Sequence, residues 1–232
     1  MATVRRGRLA PTRRRSAAVL AAAALPACLV AHDAWARPVR SMLEIRDAQV
    51  VRQQWDLSCG AAAVATILTY QLDRPVTERQ VALAMLRHTS TALVRARLGF
   101  SLLDLKAYAT TQGLAAAGFG GMGLDDLDAM APAITPISRH GFPHFVVYRG
   151  RRDGRVLIAD PAFGNRTLPE DAFRAVWADR VGFIIFDPRN PRAPNRMAAA
   201  PELFLAPDVQ AQRLAIDGPR VPITQNATGT AP

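Results

Sequence analysis

A thiol, an imidazole, a carboxylate and a side-chain amide stand in this sequence where one reaction could use all four. Cys59 opens the run Cys59-Gly60-Ala61-Ala62-Ala63, and Gln53 lies six positions before it. His144 begins the apolar run His144-Phe145-Val146-Val147-Tyr148. Asp160, sixteen positions further on, closes Val156-Leu157-Ile158-Ala159-Asp160. These are the parts of acyl transfer through sulfur: nucleophile, base, orienting carboxylate and oxyanion donor. Only the thiolate attacks, and a free thiol with a pKa near ~8.5 is mostly protonated at neutral pH. A helix amino terminus, with its unpaired N–H groups, favours the anion. Cys59 falls in the first turn of a predicted helix, with Ser58 as the expected N-cap. Gly60 fits either a substrate backbone passing the sulfur or a simple turn. The small Ala61-Ala62-Ala63 run lets the helix approach a sheet closely. Gln53 and Gln54 both qualify as the amide donor.

The second half of the chain must bring His144 and Asp160 together. Residues 144–149 and 155–160 read as two strands of a hairpin closed by 150–154. In that symmetric register His144 lies directly opposite Asp160, with Cβ atoms about 5 Å apart. A carboxylate at that distance can hold the imidazole's tautomer and steady its cation. Read singly, His144 is a strand-end histidine and Asp160-Pro161 a turn start. Their joint placement favours the pair. His140 reads as loop, and His88 as a cation at a helix end. Asp125, Asp126 and Asp128 read as a solvated helix start rather than a metal site, and no HExxH, CxxC or Gly-rich phosphate loop is present.

The positioning elements follow from patterning. Residues 37–50 read as a lead-in with a short strand. Residues 59–70 read as a buried helix, and Thr77-Glu78-Arg79-Gln80 as a capping box that starts a second. Ser101 opens a third helix stopped near Gly113, and 124–130 forms a short one. Strands are expected at 133–137, 144–148, 156–159 and 181–186, with a helix over 168–177. Helices followed by an antiparallel sheet make an α+β domain.

The first 36 residues have the order of an export signal. Six arginines, Arg5 to Arg15, precede the apolar run from Ser16 to Val30, and Ala34-Trp35-Ala36 supplies a cleavage site after Ala36. The run is shorter than the roughly 20 residues that span a bilayer. Leu25-Pro26-Ala27-Cys28 offers an alternative, a lipoprotein acylated at Cys28. Membrane association is expected only through that lipid or through a retained signal. The formal charge of +10 includes those six arginines and Asp33; without them 23 basic and 18 acidic residues remain. With no basic run interleaved with aromatics, nucleic acid is not an expected partner. Loss of Cys28 would leave Cys59 as the one thiol in an oxidising compartment. Residues 188–232, rich in Pro and Ala, read as a disordered tail.

The combination resembles peptidase family C39, the bacteriocin-processing endopeptidases of papain-like fold. The matching residues are Gln53, Cys59-Gly60-Ala61-Ala62, His144-Phe145-Val146-Val147 and Asp160-Pro161-Ala162-Phe163-Gly164, within a domain of 37–187. The resemblance implies Cys59 as nucleophile, His144 as general base and acid, Asp160 as orienting carboxylate and Gln53 as oxyanion donor, with no cofactor. Ser58 departs from the Asp of many members. Many relatives sit at the head of an ABC exporter and cut leaders after Gly-Gly. This chain, with its export signal, resembles the stand-alone exported members.

The expected function is therefore a periplasmic or secreted cysteine endopeptidase. Its substrate would be a leader or exported protein, with Gly-Gly specificity suggested by the resemblance and secretion-system components as partners. Alternatives are a non-catalytic peptide-binding accessory of a secretion system, and a papain-like amidase or acyltransferase on cell-wall peptides.

Overall fold

The structure, a computed structural model, describes residues 40–139 and 141–204. The expected export signal, its Cys28 alternative and His140 lie outside the described residues.

Local capping starts most of the helices. Ser41 and Glu44 exchange hydrogen bonds at the head of α1 (Met42–Asp47), where the sequence suggested a strand. Thr77 and Gln80 form the expected capping box on α3 (Glu78–Met85), and Ser101 with Asp104 does the same for α5 (Leu102–Thr111). Ser90 caps α4 (Thr91–Ala96), a short helix absent from the sequence reading. Helix α2 (Cys59–Thr66) continues into one π turn at Ile67–Gln71, and every residue of α2 is buried. Such a helix has no solvent face, so tertiary packing must hold it.

Six antiparallel strands follow, in the order β1-β6-β2-β3-β4-β5. They are β1 (Ala115–Phe119), β2 (Ala133–Arg139), β3 (Phe142–Arg152), β4 (Arg155–Asp160), β5 (Gly164–Pro169) and β6 (Gly182–Phe186). The sequence pattern revealed neither β1 nor β5. Both are edge strands, and both lack the β-branched or aromatic run that marks a buried strand. Alternation along the inner strands divides the core. Ile134, Val147, Ala159 and Ile185 face α2, α3 and α5. Ala133, Val146, Tyr148 and Ile158 face α6 (Leu124–Ala129) and α7 (Glu170–Val176).

The β3–β4 hairpin sets the site. Its two-residue turn is Asp153-Gly154, with φ of 49° and 72°, the left-handed pair that matches the twist of a tight hairpin. Near the turn Arg152 faces Arg155 and Gly150 faces Leu157. One residue later the register slips, and Tyr148 faces Ile158 while Val147 faces Ala159. Arg149 is the extra residue of this bulge, and Gly150 takes φ 139° beside it. Had the turn's register run on, His144 and Asp160 would point to opposite faces of the sheet. Past the bulge they share a face as diagonal neighbours. The expected register, with the two directly opposed across a five-residue loop, is thus corrected by two positions. A displacement of two, unlike one of one, leaves side chains on the same face.

The bulge also buries Arg149, which is 1% exposed. Its guanidinium donates to Met197 O at 2.8 Å, Asn165 Oδ1 at 2.8 Å, Ala48 O at 3.2 Å and Gln49 Oε1 at 2.5 Å. Burial lowers its pKa to about 10. These bonds draw residues 188–204 onto the domain, where the sequence suggested disorder from 188 onward. Met197 is fully buried, and Leu203 packs with Ile45 and Leu157. The remainder of that expected tail lies outside the described residues. Arg149→Met should lower stability by about 2–4 kcal/mol, because buried acceptors lose their donors. Urea denaturation checks this; a change under about 0.5 kcal/mol would show that water replaces the guanidinium.

Candidate active site

The site assembles where the loop before α2 meets the ends of β3 and β4. Gln53 N donates to Pro161 O at 2.9 Å, and Arg52 Nε reaches the same carbonyl at 3.2 Å. The residues before Cys59 are thereby tied to the residue after Asp160. Leu57 has φ 67°, a left-handed conformation uncommon outside glycine, and the chain then enters α2 at Cys59. Ser58 makes no side-chain cap, contrary to expectation. Its hydroxyl points instead to Trp55 O at 2.6 Å and to the Glu78 carboxylate.

Cys59 is 6% exposed. The β3–β4 ladder begins at Val147–Ala159, and Phe145, before that point, donates its N–H to Cys59 Sγ at 3.5 Å. His144 Nε2 lies 2.8 Å from Asp160 Oδ1. The Cys59 side chain lies close enough to the imidazole to act on its charge, and with Nε2 engaged by Asp160 the other ring nitrogen, Nδ1, is free for the sulfur. Asp160 is fully buried. Its Oδ1 also accepts from Ala162 N at 2.9 Å, and its Oδ2 lies 3.3 Å from Arg166, whose guanidinium stacks over Phe163.

The electrostatics follow from these contacts. Burial alone would lower the pKa of His144; the hydrogen bond and charge of Asp160, with the nearby Cys59 sulfur, override it and raise the value to about 9. Burial would raise the pKa of Asp160, but the hydrogen bond and charge of His144, the Ala162 N–H and Arg166 hold it below the usual carboxylate range. An imidazole held as a cation between a carboxylate and a sulfur suits proton transfer to and from that sulfur.

Three of the four sequence-predicted residues therefore meet: Cys59, His144 and Asp160. Gln53 lies beside them through its backbone. Its side-chain Nε2 donates to Trp55 O at 3.2 Å, while its Oε1 is buried without a partner. Gln54, the rival donor, has an exposed side chain, and its N–H is held by Glu78. Asp125 and Asp128 pair with Arg151, which Glu170 also approaches. Among the described residues no group of three or more His, Cys, Asp and Glu is placed to hold a metal ion. Sequence reasoning missed Glu78, Arg166 and the Phe145 N–H. Glu78 was visible only as an acid in a helix first turn, an ordinary position, and a backbone N–H carries no sequence signal.

Gly60 serves packing rather than substrate approach. A Cβ there would stand 3.1 Å from Leu105 Cδ1 and 3.3 Å from Phe145 Cδ2. Gly60→Ala should cost about 1–3 kcal/mol by overpacking. It should also slow catalysis by displacing Phe145 from the sulfur. Denaturation midpoints and cleavage rates check this; unchanged stability would mean that α5 moves aside freely.

Thiol, imidazole and carboxylate in this arrangement suit hydrolysis through sulfur. The Peptidase C39 family matches residues 47–190, well over half of the chain, and the chain belongs to that family. It is 35% identical over 158 residues to the probable functional amyloid protease FapD of Pseudomonas aeruginosa, covering 67% of this chain and 70% of the relative. It is 41% identical over 144 residues to the protein of the same description from Pseudomonas fluorescens, covering 61% and 62%. The peptidase domain of Streptococcus ComA, a bi-functional ABC transporter, superposes with a TM-score of 0.50 at 18% identity, over 59% of this chain and 96% of that domain. That last likeness concerns the fold: α+β, with helices packed on an antiparallel sheet. The chain is a cysteine-type peptidase acting on peptides or proteins.

Proposed function

We propose that Cys59, His144 and Asp160 act as a catalytic triad through an acyl-thioenzyme. The observation that carries this reading is the His144–Asp160 bond of 2.8 Å beside a sulfur that accepts the N–H of the next residue, Phe145, at 3.5 Å. The Cys59 thiolate attacks the carbonyl carbon of the scissile peptide bond, forming a C–S bond and an oxyanion. The Cys59 backbone N–H and the Gln53 amide stabilise that oxyanion. His144 Nδ1 gives its proton to the leaving nitrogen as the C–N bond breaks. Water then adds to the thioester, His144 takes the water proton, and C–S cleavage releases the carboxylic acid and returns the thiolate beside the imidazolium.

The substrate we propose is an exported protein of a functional amyloid system, cut next to small residues such as a Gly-Gly pair. The description of both Pseudomonas relatives supports the first part, and the family resemblance supports the second. We place the mature enzyme in the periplasm or outside the cell, released by cleavage after Ala36, with acylation at Cys28 as the alternative.

The test is to incubate the full chain with a double-glycine peptide and with secreted amyloid subunits, and to read products by mass spectrometry with acid trapping of a thioester. Cleavage with a thioester on Cys59 is expected. Cleavage of cell-wall peptides alone would replace this reading with the amidase alternative.

A further inference from the structure

We propose that Glu78 is a positioning residue that sets the oxyanion side of the site by holding the loop from Gln53 to Ser58. The inference rests on the reading of Gln53 as oxyanion donor. Glu78 is 4% exposed, at the first position of α3. A buried carboxylate is costly unless hydrogen bonds satisfy it. Here both oxygens accept from Gln54 N at 3.1 Å, Oε1 accepts from Trp55 N at 3.4 Å, and the Ser58 hydroxyl completes the set. Among the described residues no ion pair involves Glu78. Apart from the amino-terminal field of α3, its partners all lie in this one loop.

That loop needs an external hold. Leu57 sits at φ 67°, a conformation that persists where surroundings over-determine it. Glu78 fixes the Trp55 N–H on one side and shares the single Ser58 hydroxyl proton with Trp55 O on the other. Trp55 O is the acceptor that orients the Gln53 side-chain amide. One carboxylate on a neighbouring helix thus sets the direction of the Gln53 amide without touching substrate.

The test separates oxyanion support from thiol reactivity. Alkylation of Cys59 by iodoacetamide needs the thiolate but generates no carbonyl oxyanion. In the full chain, Glu78→Gln should lower kcat for peptide cleavage by ~10²-fold. Its alkylation rate and the pH profile of that rate should stay close to wild type, with any fall in Tm too small to unfold the protein at the assay temperature. Glu78→Asp should recover part of the loss. Gln53→Ala should be similarly slow, and the double variant little slower than Gln53→Ala, because the two act as a unit. Cleavage by Glu78→Gln at the wild-type rate beside a slow Gln53→Ala would overturn the role of Glu78 alone. A joint loss of cleavage, alkylation and Tm in Glu78→Gln would reduce Glu78 to a folding contact. Wild-type cleavage by Gln53→Ala would remove the oxyanion reading itself.

Discussion

Cys59→Ala is expected to abolish peptide-bond cleavage, lowering kcat/KM by ~10⁵-fold or more. In the proposed triad the sulfur is the group that forms the acyl bond, and the imidazole and carboxylate have nothing to activate without it. The fold should survive, because Cys59 occupies the first position of a helix whose following residues are alanine-rich and fully buried. Alanine at 59 leaves only a small void and removes the acceptor of the Phe145 N–H. Circular dichroism and Tm should stay near wild type while the thioester disappears from the mass spectrum. Cleavage by Cys59→Ala at the rate of the intact enzyme would refute nucleophilic catalysis by this residue.

Asp160→Asn should lower kcat/KM by ~10²- to 10⁴-fold with binding little changed. The amide is nearly isosteric but carries no charge, so it cannot steady the imidazolium as the carboxylate does, and with its oxygen kept on Nε2 and the Ala162 N–H its NH₂ end is turned to Arg166. The variant also leaves Arg166 without its carboxylate. The larger consequence is for pH. With Asp160 present, His144 titrates near 9 against an ordinary value of 6.5, so the imidazolium persists through neutral pH. The alkaline limb of kcat/KM should therefore fall near pH 9 in wild type and move to lower pH in Asp160→Asn.

The same groups set a stability window. A raised His144 pKa contributes stability that is complete below 6.5 and lost as pH climbs through 9. A lowered Asp160 pKa contributes stability present above 3.8 and lost as pH falls through the lowered value. The difference in Tm between wild type and Asp160→Asn should thus be widest between about pH 4 and 6.5 and shrink above pH 9. A difference independent of pH would mean that the carboxylate acts by packing alone.

Local signals carried much of the secondary structure. The Thr77–Gln80 and Ser101–Asp104 caps are contained within a few residues, so their helices could be read from those residues alone. Helix α1 has an equally local cap at Ser41 and Glu44, yet its six residues gave no periodic run long enough to outweigh the extended reading. The edge strands β1 and β5 were invisible for a different reason. Ala-Ala-Ala-Gly-Phe and Gly-Asn-Arg-Thr-Leu-Pro become strands because a neighbour's free ladder accepts them. The tail residues 188–204 looked disordered because their anchor, Arg149, lies some fifty positions earlier in the chain.

What the residues determined by themselves was the chemistry: a cysteine entering a buried helix, a histidine opening one strand, and an aspartate closing the next. Side-chain alternation made a shared face for the last two plausible, because strand geometry is periodic and local. Which register the hairpin took was decided only in three dimensions. The Asp153-Gly154 turn alone would have parted His144 from Asp160. The single extra residue at Arg149 restored their common face, and it is accommodated where the guanidinium can bond to α1, β5 and the closing segment together. The hold of Glu78 on the loop before Cys59 is of the same kind. A buried polar group finds its partners wherever the folded chain brings donors, and no pattern of neighbouring residues announces them.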